Sequence, residues 1–489
     1  MKKYNQNVAP LLDALSGHAR SARGWFHVPG HGGGRGVPED LLALTGPGVY
    51  SIDVTELPGL DDLNSPTGVI ARAQELAAAA FGAGRSFFLA GGTTQGLQAL
   101  VLASGKTGDS IILPRNCHRS IIGGLILSGI TPVFLRPAVV QGFNFPAGVP
   151  VKQYERAVSE HPGACGVFCI HPTYYGTVGN TGKISRIAHA AALPLLADEA
   201  HGGHFGFHPA LPEGALAAGA DAAAQSIHKT GGSMTQSSIL HLSRGSLLDT
   251  ERVSSAVRLI QTSSPSYILL ASLDAARRQL ALKGFDLMDR LLEVAGSLRE
   301  DLSQIPGIEV FGPEHIDGEG VFDYDPARVV VKTSGTGLTG WQAASWLAGN
   351  YGIYVEMADR DNIVLVLGPG AAGGECRELA LAVRDLARRE GGRPLPPASS
   401  GPGDFPDQKA VVGIREAWFS PTRPVRTEQA SGLVSGEWVA VYPPGMPVLF
   451  PGEEVSRAVV NYLIEARESG ARFQGPADPG LKYIRVMDI

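Results

Sequence analysis

From about residue 66 onward, apolar and polar positions alternate in blocks of two periods. Helical spacing, with apolar residues three and four apart, predicts helices over 68–81, 94–104, 119–128 and 184–192. Between them lie short β-rich runs at 86–90, 110–113, 131–135, 166–170 and 193–197. Strands alternating with helices predict an α/β domain with a mostly parallel central sheet. Ligands of such sheets bind beyond the carboxyl ends of the strands. A long apolar-periodic stretch from Tyr267 to about Leu302 predicts a helix bridging to a smaller α/β unit, with strands near 328–332 and 363–367. Upstream, 8–18 is the one helix candidate in a glycine- and turn-rich segment. The run EGGRPLPPASSGPGDFP, from Glu390, reads as a linker. The expected division is therefore 1–65 as an N-terminal segment of loops, 66–305 as the large domain, 306–395 as the small α/β domain and 396–489 as a C-terminal α+β domain.

Composition narrows the classes. Hydrophobic residues make up 44% of the 489 positions, which excludes a disordered chain. The 63 glycines show no three-residue period, which excludes collagen. A net charge of −6 without a Lys/Arg-rich run argues against a nucleic-acid binder. No signal peptide or long apolar span appears, so a cytoplasmic protein is expected. Cys165 and Cys169 sit in the apolar stretch GACGVFCIHP without a second Cys/His pair at zinc spacing, and a buried structural role is expected for them. No metal site is expected.

Four segments carry chemistry, each at a strand-to-loop junction. In AQSIHKTGGSMTQSS, from Ala224, Lys229 and His228 follow a short apolar strand and precede glycines. A lysine so placed can form a Schiff base with an aldehyde cofactor, and Ser226 with nearby amides can hold a phosphate. In isolation it is equally a surface lysine in a loop. In LPLLADEAHGGH, from Leu193, Asp198 closes a strand. A carboxylate there suits the protonated pyridine nitrogen of pyridoxal 5′-phosphate (PLP), with His201 orienting the site. DEAH also occurs in nucleoside triphosphatases, but they need a GxxxxGK[ST] loop, and the chain has none. LAGGTTQG, from Leu89, brings Thr93, Thr94 and Gln95 to a helix start, a ready anion site. LPRNCHRS, from Leu113, starts a helix at His118, whose imidazole would stack on an aromatic cofactor or face solvent.

Taken together, AxSxHK followed by GGSMTQSS resembles the PLP-attachment signature of the group III Orn/Lys/Arg decarboxylases, of aspartate-aminotransferase-like fold type I. The resemblance extends through FHVPGH, TELPGLDDLNSPTG, GGTTQG, RNCHRS, DEAHGGH, TSSPSYILLASLD, YVEMADRDNIVLVLGPG and YPPGMP, and so spans nearly the whole chain. It implies PLP carried on Lys229, with Asp198 on its ring nitrogen, His118 on its face, His228 near the lysine, and Thr94, Gln95 and Ser226 on its phosphate. It implies Glu356, and after it Asp359, at the distal cation of a basic amino-acid substrate. Asp53, Glu56, Asp61 and Asp62 form an acidic group expected at the entrance or a dimer contact. The implied assembly is at least a homodimer, with TSSPSY from Thr262 crossing between subunits.

The pattern departs from the family twice. Members often read FHVPGHKGG, whereas Gly32 follows His31 here. Longer members carry an N-terminal receiver-like domain, and only 25 residues precede Phe26. The chain is thus similar to the shorter bacterial arginine or lysine decarboxylases. The implied reaction is decarboxylation of arginine or lysine, and less of ornithine. Aminotransfer, elimination or oxidative deamination on the same scaffold is the alternative, and an inactive regulatory homologue is the rival of another class.

Overall fold

The computed structural model describes residues 4–389, 392–396, 408–442 and 445–488. These fall into two compact units, one of residues up to 103 with 196–289, the other of 104–195 with 290 onward. In the first unit four strands lie in the order Arg85–Leu89, Ser238–Leu242, Ala222–Gln225, Leu195–Asp198. The last pair is parallel and the first two pairs are antiparallel. Helix Gly92–Ser104 packs against this sheet so closely that a Cβ on Gly96 would stand 3.4 Å from the Ala224 Cβ. Helices Pro10–Ser21 and Val69–Ala80 and the start of the 37-residue helix Tyr267–Ser303 close a core around Leu11, Leu15, Ile70, Phe88, Ile239 and Tyr267.

In the second unit, strand Ser110–Pro114 pairs in parallel with both Thr131–Leu135 and Ala164–Ile170. The crossover helices Arg119–Ser128 and Val151–Glu160 follow the helical periods between strands. A separate antiparallel sheet, in the order Glu309–Val310, Arg328–Lys332, Asn362–Val366, Met357–Ala358, carries helices Gly340–Tyr351 and Gly373–Arg389 over a core of Val329, Val331, Leu347, Ile363 and Val383. The C-terminal part builds a three-stranded sheet, Met446–Leu449, Val439–Tyr442, Arg472–Gln474, around helix Arg457–Glu468. One ion pair ties it to the RNCHRS loop. Arg115 forks onto Glu453 at 2.6 and 2.9 Å, and its guanidinium lies 4.8 Å from the centre of the Phe450 ring.

The α/β expectation holds, and the predicted elements lie within a few residues of the observed ones. The linker expectation fell on Glu390–Pro406, of which 390–391 and 397–406 lie outside the described residues. Residues 392–396 are held by hydrogen bonds, Gly392 N–H to the Thr336 carbonyl at 2.7 Å and Leu395 N–H to that of Ser334 at 2.9 Å. Pro443 and Pro444 of YPPGMP also lie outside. Among the described residues, no helix is long and apolar enough to cross a membrane.

Candidate active site

The first unit holds eight of the predicted residues, Thr93, Thr94, Gln95, Asp198, His201, Ser226, His228 and Lys229, at or just beyond strand ends. Side chains alternate along a strand, so Asp198 and Ser226 fall on the face that packs against helix Gly92–Ser104. There Thr93 Oγ1 lies 2.6 Å from Ser226 Oγ and 3.0 Å from Ser238 Oγ, all three buried. Gly92 opens the helix with a φ of +73°, which an L side chain rarely adopts. Gln95 accepts the Gly91 N–H at 3.0 Å through Oε1, and its Nε2 is a buried donor with no acceptor. Three hydroxyls, the first-turn amides and this orphaned donor form a cradle suited to an anion.

Lys229 sits in the short helix Ile227–Thr230, which follows strand Ala222–Gln225. Its Nζ donates to His201 Nε2 at 2.8 Å. Asp198 is buried and accepts the Ala200 N–H at 3.2 Å. Burial raises its carboxyl from 3.8 to about 6, against the opposing pull of the Lys229 charge. His228 holds the Ser237 carbonyl at 2.9 Å through Nδ1, which ties the lysine turn to the GGSMTQSS loop. A buried carboxylate, a strand-end amine and an anion cradle are the donor set that a phosphorylated pyridine aldehyde requires, so the residues present fit PLP.

His118, Glu356 and Asp359 belong to the second unit. His118 caps helix Arg119–Ser128 by accepting the Ser120 N–H at 3.2 Å, and its ring centre is 6.5 Å from that of Tyr174. Glu356 has an exposed side chain, and its charge acts on Arg328, whose pKa burial lowers. Sequence reasoning passed over Arg328, which is 1% exposed. The apolar run RVVVK gave only a strand, and nothing in it marked the arginine as buried. Asp359 is occupied: it accepts from Tyr175 Oη at 2.8 Å, from Asn362 Nδ2 and from the amides of residues 361 and 362. Burial raises its carboxyl to about 6.

The acidic group divides by role. Asp61 accepts the amides of Thr67, Gly68, Ile70 and Ala71, and so caps helix Val69–Ala80. Asp53 stands 3.3 Å from His31 Nε2, and Asp62 accepts the Asn64 amide. At the departure Gly32, φ is +56°, and a Cβ there would lie 3.3 Å from Arg35 Nη2. A cation is thus present over the position, supplied from three residues further along the chain.

The chain is similar to known proteins over nearly its whole length. Residues 9–374 match the Orn/Lys/Arg decarboxylase major domain, and residues 414–480 match the C-terminal domain of the same family. The arginine decarboxylase of Bacillus subtilis is 37% identical, covering 99% of this chain and 98% of its own length. That of Halalkalibacterium halodurans is 38% identical at the same coverage. Among solved structures, a lysine decarboxylase of Francisella novicida superposes with a TM-score of 0.83 at 19% identity, over 98% of this chain and 81% of its own. That likeness bears on the fold, and the identity over the full chain bears on the family. With both decarboxylase domains matched in order, the chain belongs to the Orn/Lys/Arg decarboxylase family.

Proposed function

We propose that this member of the family releases CO2 from arginine, with PLP carried on Lys229. That the chain is a PLP-dependent decarboxylase of a basic amino acid follows from its family; the choice of arginine rests on the relatives at 36–38% identity, which are arginine decarboxylases. The observation that carries the site assignment is the meeting of half-buried Lys229 with buried His201 and Asp198 on the strand ends that carry the hydroxyl cradle. When bound, PLP supplies an electron sink for the bond broken at Cα.

The chain's own residues do the rest. Asp198, as a carboxylate, keeps a pyridine nitrogen protonated, and burial makes that pairing stronger than it would be in water. The Lys229 amine would carry the cofactor and would be the group placed to deliver a proton to Cα. His201 accepts from Lys229 and holds the amine in place before it reacts. Thr93, Thr94, Gln95 and Ser226 would hold the phosphate, and the family resemblance assigns His118 to the ring. Glu356 reads the distal cation of the substrate. The full engagement of Asp359 with Tyr175 and Asn362 makes it the support of the hairpin on which Glu356 sits.

The proposal includes a homodimer. Thr262, Ser263 and Ser264 are exposed, which leaves the segment expected to cross between subunits open to a partner. Mixing Lys229→Ala protein with a Thr262-region variant should restore activity through hybrid dimers, and a fully active monomer would refute the shared site. The substrate test is incubation of PLP-loaded protein with arginine, lysine and ornithine, with the amines identified by mass. Release of the arginine-derived amine is expected, and turnover of lysine or ornithine alone refutes the assignment.

A further inference from the structure

The face of the first unit's sheet opposite the cofactor cradle carries a second polar array. Glu199 and Gln225 are sequence neighbours of Asp198 and Ser226, and alternation sends them to the other side. There they meet His241 and Ser86, which are register partners on adjacent strands. Ser86 Oγ is 2.7 Å from His241 Nδ1, His241 Nε2 is 3.2 Å from Gln225 Oε1, and Gln225 Nε2 donates to Glu199 Oε2 at 2.9 Å. The second carboxylate oxygen accepts the Ala215 N–H at 2.8 Å. All four side chains are buried, with Glu199 and His241 at 0% exposure. Four hydrogen-bonding side chains in one line across an otherwise apolar sheet are costly to keep unless each is satisfied.

The array has one direction. A carboxylate only accepts, so Gln225 presents its NH2 to Glu199 and its carbonyl to His241. His241 therefore carries its proton on Nε2, and Nδ1 accepts from the Ser86 hydroxyl. Burial keeps this imidazole neutral, which leaves it a single proton to place. Glu199 has no ion-pair partner among the described residues; Gln225, the Ala215 amide and, through Gln225, His241 are the groups that face it, while Asp198 and Lys229 lie on the other side. With an amide at 199 the three side-chain bonds could run in reverse, while the Ala215 N–H would still donate to its oxygen.

We propose that Glu199 is a positioning residue of the reaction: through Gln225 and His241 it locks the two strand ends that carry Asp198 and the Ser226–Lys229 turn, and its charge sets the direction in which the whole array donates. The proposal rests on the assignment of Asp198 and Lys229 to the cofactor.

The test uses full-length protein with 15N-labelled histidine, at pH 8.5. Glu199→Gln keeps the Ala215 N–H bond to its oxygen and can keep the three side-chain bonds with reversed polarity. The His241 proton should move from Nε2 to Nδ1 in the nitrogen shifts, with the PLP Kd within about threefold of wild type. Glu199→Leu leaves the Ala215 and Gln225 N–H groups unsatisfied, and the PLP Kd should rise about tenfold or more. Should Glu199→Leu fail to fold, Gln225→Met cuts the array at its middle and is expected to give the same rise. An unmoved His241 proton in Glu199→Gln overturns the proposal. So does wild-type PLP affinity in a folded Glu199→Leu or Gln225→Met protein. Wild type that takes up no PLP refutes instead the functional reading beneath it.

Discussion

Replacing Asp198 with Asn should make the cofactor-free protein more stable and the loaded enzyme slower. The carboxyl is 6% exposed, and its pKa is raised from 3.8 to about 6, mainly by burial. A folded-state value above the unfolded one means that the native state holds the proton more tightly. Stability is then highest below the unfolded value near 4 and falls as pH rises through about 6. The raised value amounts to about 2 pKa units, or about 3 kcal/mol at ~1.36 kcal/mol per unit. Asn keeps an acceptor for the Ala200 N–H and never ionises. Urea unfolding of the apoprotein at pH 8, followed by tryptophan fluorescence, should show Asp198→Asn more stable by about 3 kcal/mol, or roughly 1 M in midpoint. At pH 5 the gain should shrink to about half, because the wild-type carboxyl is then largely protonated in the native state. With PLP bound, turnover should fall by about tenfold to a hundredfold, the worth of a charge-assisted hydrogen bond. A variant less stable than wild type at pH 8, or one that retains turnover, would refute the reasoning.

Borohydride reduction of the loaded protein should fix the cofactor on the peptide containing Lys229, and Lys229→Ala should abolish that labelling; cofactor found on another lysine sinks the assignment. Glu453→Ala strands Arg115, whose side chain is only 16% exposed, and should cost about 3–5 kcal/mol in thermal or urea unfolding. The double change Arg115→Met with Glu453→Leu should recover most of that loss, and additive losses would show that the pair does not interact. Glu356→Gln should raise KM for arginine about tenfold with kcat nearly unchanged. An unchanged kcat/KM would assign Glu356 to Arg328 alone.

The grouping of Asp198, Ser226 and Lys229 at strand ends was legible because their chemistry is written as local motifs. ADEAH and SIHK each place a polar residue directly after an apolar strand, and strand ends are where such sheets bind ligands. The opposite face was not legible. Glu199 and Gln225 sit inside those same motifs, yet their partners His241 and Ser86 come from strands whose register only the fold reveals. The Ser238–Leu242 strand itself was hidden, since TQSSILHL reads as the tail of the lysine loop, and antiparallel entry between two other strands leaves no local signal. Asp61 misled by composition: four acidic residues in ten suggest a charged surface, whereas helix capping depends on which amides happen to point at one of them. Arg328 was missed because burial of an arginine depends on packing around it, not on its neighbours in sequence.

The first unit is assembled from two stretches of chain, and this has a consequence during synthesis. Among the described residues, strand Arg85–Leu89 pairs only with Ser238–Leu242. At roughly 5–20 residues per second, the ribosome delivers that partner about 8–30 s after the strand itself has emerged. Throughout that interval RSFFL is an apolar edge without its mate, free to pair with a neighbouring nascent chain. Yield from a strong promoter should therefore depend on translation rate and temperature more than the stability of the finished protein would suggest. Chaperones that mask short apolar segments should raise it without altering the folded enzyme.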